Sequence, residues 1–220
     1  MRFKKALIML LLLVIMPLNI YAYSDYIYAG GETVGIKVNS LGILVVGKYD
    51  IGKKTVLQVG DIITTIDNKT IKSSTDFIGA IKNKSVVSVD YIRGNKEYKT
   101  DLNIVLENGI YKSGLYVKDS ITGIGTLTYI DPKTGLFGAL GHEIIEKTTG
   151  KLFNSSSGSI FESTITGITM SSKGIPGAKN AKYYADNVLG TVFENTNKGI
   201  FGNYTSTLPN KKLQKIILLL

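Results

Sequence analysis

Val59-Gly-Asp-Ile-Ile-Thr-Thr-Ile-Asp-Asn-Lys-Thr-Ile71 decides the reading of the first half of the chain. Gly60-Asp61 is turn chemistry, residues 62–66 form a β-branched run that reads as a strand, and Asp67-Asn68-Lys69 predicts a tight turn. Upstream, residues 34–38 and 42–46 are two short apolar runs, each predicted as a strand, and residues 48–54 are a polar, Gly-containing loop. Downstream, Ser73-Ser74 can cap a helix over about 75–82 with Phe77, Ile78 and Ile81 on one face. Residues 86–93 alternate as a strand, Gly94-Asn95-Lys96 turns the chain, and residues 97–105 return as its hairpin partner. Together these elements make an α+β unit over residues 26–107.

Glu107-Asn108-Gly109 is the expected boundary. Beyond it the texture becomes Gly-, Ser- and Thr-rich, with short candidate strands at 114–117, 124–130, 136–140, 163–169 and 188–193. Short strands with turns between them predict an all-β barrel or sandwich over residues 108–220. The fold class is therefore mainly β, with 24 Gly and only 4 Pro favouring strands and turns.

Composition excludes several chemistries. There is no Cys, so no disulfide framework, thiolate nucleophile or cysteine metal site can form. The single histidine, His142, excludes a multi-histidine zinc site within one chain. No metal and no cofactor are expected. The net charge of +9 is carried almost wholly by Lys, Arg2 and Arg93 being the two arginines. The lysines are scattered, without a basic run or basic–aromatic interleaving, so nucleic acid is not an expected partner. At the N-terminus, Arg2, Lys4 and Lys5 precede an unbroken apolar run over 6–16, and Ala22 offers a small residue at a cleavage point. Residues 1–23 therefore read as an export signal, either removed or retained as a membrane anchor, with the rest of the chain outside the cytoplasm.

Thr122-Gly-Ile-Gly-Thr-Leu-Thr-Tyr-Ile-Asp-Pro-Lys-Thr-Gly-Leu-Phe-Gly-Ala-Leu-Gly-His142 reads as a hairpin. One strand runs over 125–130, Asp131-Pro132-Lys133-Thr134-Gly135 is the turn, and the second strand runs over 136–140. Gly141 lets the backbone bend, which leaves His142 at the rim of a sheet. That position suits a general base, because an imidazole exchanges protons near neutral pH and must be held within reach of a hydroxyl. Taken alone, a histidine after glycine is more often a surface or hydrogen-bonded structural residue.

Two resemblances extend this reading. Residues 59–71 are similar to the PDZ phrase x-G-D-x-I-x-x-I-N-G-x-x-I, with Asp67-Asn68 in place of the usual Asn-Gly. That resemblance implies a PDZ domain over 26–107. It also implies that Val34-Gly35-Ile36 is a carboxylate-binding loop, where backbone N–H groups hold the C-terminus of a peptide that adds a strand to the sheet. The block from Asp119 through Gly138-Ala-Leu-Gly-His-Glu-Ile144 resembles the stage IV sporulation protein B family, peptidase family S55. Gly158-Ser-Ile-Phe-Glu-Ser-Thr-Ile165, Gly174-Ile-Pro-Gly-Ala178 and Gly199-Ile-Phe-Gly202 resemble it too. The family resemblance implies a partial chymotrypsin-like β-barrel in 108–220, with His142 as the catalytic histidine. It implies a sporulation signalling peptidase, working between the two membranes around the forespore. Such a peptidase cuts a protein of a membrane complex, which leads to release of a late sigma factor.

The sequence departs from that family in one respect that matters. The family's nucleophile lies in a Gly-x-Ser-Gly-Ser-Pro phrase near its C-terminus, preceded by an acidic residue, and neither is present here. The expectation is a truncated gene, a frameshift or a fragment, with residues after Leu208 no longer resembling the family. Ser155-Ser156-Ser157-Gly158-Ser159 is superficially similar to the missing phrase but falls at a non-catalytic position of the resemblance. Asp131 reads as a turn residue, and Glu143 would point to the opposite face of a strand from His142. Two rival readings follow: a catalytically dead PDZ adaptor that binds peptide termini, and a structural cell-surface protein.

Overall fold

The computed structural model describes residues 24–216. The export signal or anchor expected over 1–23 lies outside the described residues. Among the described residues no helix is long and apolar enough to cross a membrane.

The chain begins with β1 (Tyr26–Ala29) and the long β2 (Thr33–Lys48), then β3 (Ile62–Ile66), β4 (Lys69–Thr70) and helix α1 (Ser74–Ile81). Strands β5 (Val86–Arg93), β6 (Lys96–Asn103), β7 (Val105–Glu107) and β8 (Ile110–Lys112) lead to a second long strand, β9 (Leu115–Ile130). Then come β10 (Leu136–Ala139), β11 (Ile145–Glu146), β12 (Lys151–Leu152), β13 (Ser155–Thr169), β14 (Ala178–Thr196), β15 (Gly199–Tyr204) and β16 (Gln214–Lys215).

Local chemistry accounts for the first unit. Asp67 and Asn68 both take positive φ, 48° and 62°, which is what a two-residue hairpin turn between β3 and β4 requires. Ser73 caps α1: its Oγ accepts from the Asp76 N–H at 3.0 Å, while the Asp76 carboxylate accepts from the Ser73 N–H at 3.0 Å. Phe77 and Ile81, one turn apart, are buried, but Ile78 is 64% exposed. The helix is thus narrower on its apolar side than expected, because residue 78 is rotated away from the i, i+4 pair. Asp61 is buried and receives both Arg93 Nε and Nη2 at 2.7 Å, and the Gln58 N–H at 2.7 Å. This fork ties the loop before β3 to the end of β5.

The expected separate strands at 34–38 and 42–46 are one element, β2, and those at 114–117 and 124–130 are one element, β9. The two lie antiparallel along almost their whole length, with a register irregularity between Asn39 and Leu44. Gly42 sits at that irregularity, where any side chain would collide with the Ile63 carbonyl of β3. Each long strand serves two cores. Ile43, Val45 and Leu115 pack with Leu57, Ile63, Phe77 and Val89 in one; Val34, Ile36, Val38, Leu127 and Ile130 pack with Phe137, Ile160 and Ile200 in the other. Alternation along β2 explains the second set, since Val34, Ile36 and Val38 share one face.

The second core lies inside a circuit of pairings, β2–β9–β10–β15–β14–β13 and back to β2, every step antiparallel. The expectation was a barrel left open within 108–220. The circuit is instead completed from outside that range, because β2 covers the edges of both β9 and β13. The expected boundary at 107–109 is a tight turn between β7 and β8, with Asn108 and Gly109 at φ of 53° and 77°.

Candidate functional site

The hairpin that carries His142 is pinned at its turn. The Asp131 carboxylate is buried and accepts from the Lys133 and Thr134 N–H groups at 2.8 and 3.3 Å, and from the Ser24 N–H at 3.4 Å. Asp131 is therefore a turn residue, as its Pro132 neighbour implies. Beyond β10, Leu140 and Gly141 both take left-handed conformations, φ 72° and 78°. Gly141 adopts this freely; Leu140 is strained there, by about 1–3 kcal/mol. The consecutive bends throw the chain off the sheet and leave His142 exposed at the rim.

His142 Nδ1 lies 2.9 Å from the Glu143 carbonyl oxygen. A carbonyl only accepts, so Nδ1 carries the proton and Nε2 of the neutral ring is the acceptor. That is the tautomer a general base needs. The ring stands at the mouth of a pocket of about 400 Å³ whose walls include Ile36, Ile121, Ile124, Leu140 and Ile144. Glu143 lines the same pocket, which corrects the expectation that it faces away: residues 140–142 are a bend and residue 143 lies in no strand, so the alternation of a strand does not apply. Among the described residues that line the pocket there is no serine. Ser155, Ser157 and Ser159 lie in β13, opposite Ser40, Asn39 and Lys37 of β2. The Ser157 Oγ accepts from Asn39 Nδ2 at 3.2 Å.

The loop after His142 is held from two sides. Asn195 on β14 donates through Nδ2 to the carbonyls of Ile144 and Phe153, both at 3.0 Å, and accepts the Ile144 N–H at 2.9 Å. Nothing in the sequence Glu194-Asn195-Thr196 announces this clamp. Glu146 is 1% exposed and takes the Lys118 ammonium at 3.1 Å and the Thr149 N–H at 2.8 Å. Next to Lys118, Asp119 accepts the Ser74 N–H at the start of α1 at 2.8 Å. Burial opposes the charge on Glu146, but the Thr149 N–H and Lys118 outweigh it and hold the carboxyl below the ordinary glutamate value. A depressed folded value gives stability that is complete above about pH 4.5 and is lost as the pH falls through that lower value. Acidification is therefore expected to loosen residues 144–153. Amide protection factors there should fall with acid in the parent, with a flatter response in Glu146→Gln; equal slopes would refute the assignment.

Val34, Gly35 and Ile36 do not form a loop. They lie within β2, opposite Gly125, Ile124 and Gly123 on one side and Glu162, Phe161 and Ile160 on the other. Val34 and Ile36 are buried in the second core, and Gly35 abuts the Tyr183 side chain. With partners on both edges, this backbone has no free row of N–H groups to receive a peptide. The geometry expected there occurs elsewhere. Along residues 115–119, β9 has β2 on one edge only, with residues 115–118 in register with it; on the other edge, among the described residues, no strand is paired, and α1 packs nearby. Gly114, at φ 74°, precedes this open edge. The signal was Ser113-Gly114-Leu115-Tyr116-Val117, a glycine before an alternating run, of the same kind as Val34-Gly35-Ile36.

Among the described residues no three His, Cys, Asp or Glu side chains are grouped closely enough to hold a metal ion.

A family model described as SpoIVB peptidase S55 matches residues 109–219, past Leu208 where the resemblance was expected to end, and one described as a PDZ domain matches residues 32–104. Among solved structures, the PDZ domain of the SdrC-like protein from Listeria monocytogenes is 30% identical, covering 36% of this chain and 90% of that one, with a TM-score of 0.33. Its counterpart from Listeria innocua is 29% identical over 34% of this chain and 92% of that one, with a TM-score of 0.32. No curated protein matches.

Proposed function

The chain belongs to the SpoIVB peptidase S55 family, and from that membership we propose that it serves as a serine-type endopeptidase unit of sporulation signalling, with its PDZ segment recruiting the substrate. In this reading the six-strand circuit is a chymotrypsin-like barrel and His142 is its general base. The chain is exported by residues 1–23 and works between the two membranes around the forespore. Its substrate is a protein of a membrane complex, whose cleavage leads to release of a late sigma factor. The observation that carries the reading is the ring geometry: Nδ1 is engaged by the Glu143 carbonyl, and Nε2 is left as acceptor at the mouth of the apolar pocket. The described residues that line the pocket supply no serine, so the attacking hydroxyl has to come from outside that lining; Nε2 would take its proton as that oxygen bonds to the scissile carbonyl carbon, then return it to the departing amine.

Peptide recruitment by the PDZ unit draws on the open edge of β9, a strand that lies in the range matched by the peptidase model and packs on the first core through Leu115. A peptide C-terminus would add a strand to residues 115–119 beside α1. With a peptide ending in an apolar residue and a free carboxylate, amide resonances of 115–119 are expected to shift while those of 34–36 stay still. Shifts confined to 34–36 would overturn this placement.

A second reading, a PDZ adaptor without peptidase chemistry, is favoured by the absence of serine among the described residues that line the His142 pocket. The two are separated by incubating the full chain and His142→Ala with a candidate membrane-complex protein and following products by mass spectrometry. Cleavage by the parent alone supports the endopeptidase. Two intact mixtures with peptide binding retained support the adaptor.

A further inference from the structure

The β13–β14 hairpin outruns the rest of the fold. Pairing of β13 with β2 ends at Glu162 opposite Val34, and pairing of β14 with β15 ends at Gly190 opposite Tyr204. The two strands nevertheless stay paired with each other out to Thr169 opposite Ala178, and Ser172 bridges Ile175 at the tip. Residues 163–189 are thus a two-stranded ribbon with no further strand on either edge among the described residues. Such a ribbon is marginally stable in water by itself.

Its far end also carries the two most exposed large hydrophobic side chains among the described residues, Met170 and Ile168. Met170 is 86% exposed, Ile168 71% and Ile175 63%. Two lysines accompany them, at 173 and 179, and Lys179 lies directly opposite Ile168; Lys182 stands farther down the ribbon, opposite Thr164. Between residues 163 and 185 there is no Asp or Glu. An apolar end flanked only by positive charge matches one kind of surface well. Side chains of this size can enter the boundary between headgroups and acyl chains, while lysines extend their stems along them and reach the phosphates. A protein surface complementary to it would need an apolar recess ringed by carboxylates; an anionic bilayer offers both features at any position.

We propose that the tip of the β13–β14 hairpin, through Ile168, Met170, Ile175, Lys173 and Lys179, docks onto an anionic lipid surface. This holds the circuit and its His142 rim at a fixed relation to the membrane, independently of residues 1–23. It does not depend on the peptidase reading.

The chain has no tryptophan, so Ile175→Trp in the full chain places a single indole at the tip with its apolarity kept. With vesicles containing one third phosphatidylglycerol in phosphatidylcholine, the emission is expected to shift to the blue and to become protected from an aqueous quencher. Pure phosphatidylcholine vesicles should leave it unchanged. Adding Lys173→Glu and Lys179→Glu should weaken the partitioning by roughly tenfold or more. An indole that stays fully quenchable on anionic vesicles would overturn the proposal. So would an equal shift on both vesicle types, which removes the role of the lysines, or a blue shift without vesicles that grows with protein concentration, which would assign the tip to a second copy of the chain.

Discussion

Phe137→Ala is expected to lower the free energy of unfolding by about 3–5 kcal/mol. Phe137 is fully buried in the second core and stands directly opposite Gly202 of β15. Its ring occupies the space that side chains at Gly190 and Gly202 would otherwise fill. The two glycines bring three neighbouring strands together around one aromatic ring, so a truncated side chain leaves a hole that backbone cannot close. A loss of this size corresponds to a midpoint lower by roughly 10 °C in a chain of this length. The fall should appear as one transition, because β2 and β9 run unbroken through both cores. Calorimetry or denaturant titration decides it. Phe137→Leu should recover most of the loss, and two separate transitions in the parent, with only one displaced by Phe137→Ala, would show that the cores unfold independently.

The parts of this architecture that were legible in the sequence are those fixed by neighbouring residues. The Ser73 cap and the Asp131 turn each depend on a side chain within three residues of its partner, and the Asp67-Asn68 turn on the left-handed backbone of its own two residues, so each reads directly. His142 was legible as a rim residue because a glycine precedes it after a strand. What could not be read depends on partners far along the chain. Two apolar runs in β2 join into one strand because β9 lies beside both of them. Val34-Gly35-Ile36 and Ser113-Gly114-Leu115 are alike as local sequence; the open edge belongs to the second because β13 covers the first. The circuit closes with a strand drawn from the other side of the expected boundary, and no periodicity within 108–220 carries that information. Asn195 is equally silent, since its partners are 51 and 42 residues away.

That distance makes Asn195 a sharp test of how the histidine is held. Asn195→Ala removes three hydrogen bonds at once and leaves the carbonyls of Ile144 and Phe153 and the N–H of Ile144 without this partner. Each part-buried group so orphaned costs about 1 kcal/mol or more, which puts the total at about 2–4 kcal/mol, less whatever water recovers. Most of that should fall on the order of residues 144–153, which Asn195 joins to β14 through backbone groups, with a smaller share reaching the second core through Phe153 and Ile144. The readout is direct: His142 is the single histidine, so its ring protons give one unambiguous set of resonances in the full chain. In the parent these should show the dispersion of a ring fixed against the Glu143 carbonyl. In Asn195→Ala they should sharpen and move toward the position of a free histidine, and amide protection over 144–153 should fall. Asn195→Asp should do the same, since it puts an acceptor oxygen where Nδ2 donated to the carbonyls of Ile144 and Phe153 and keeps only the bond from the Ile144 N–H. If the ring resonances stay where they are while the midpoint of unfolding drops, Asn195 stabilises the sheet alone, and the histidine must be positioned by the Leu140–Gly141 bend and the Lys118–Glu146 pair instead.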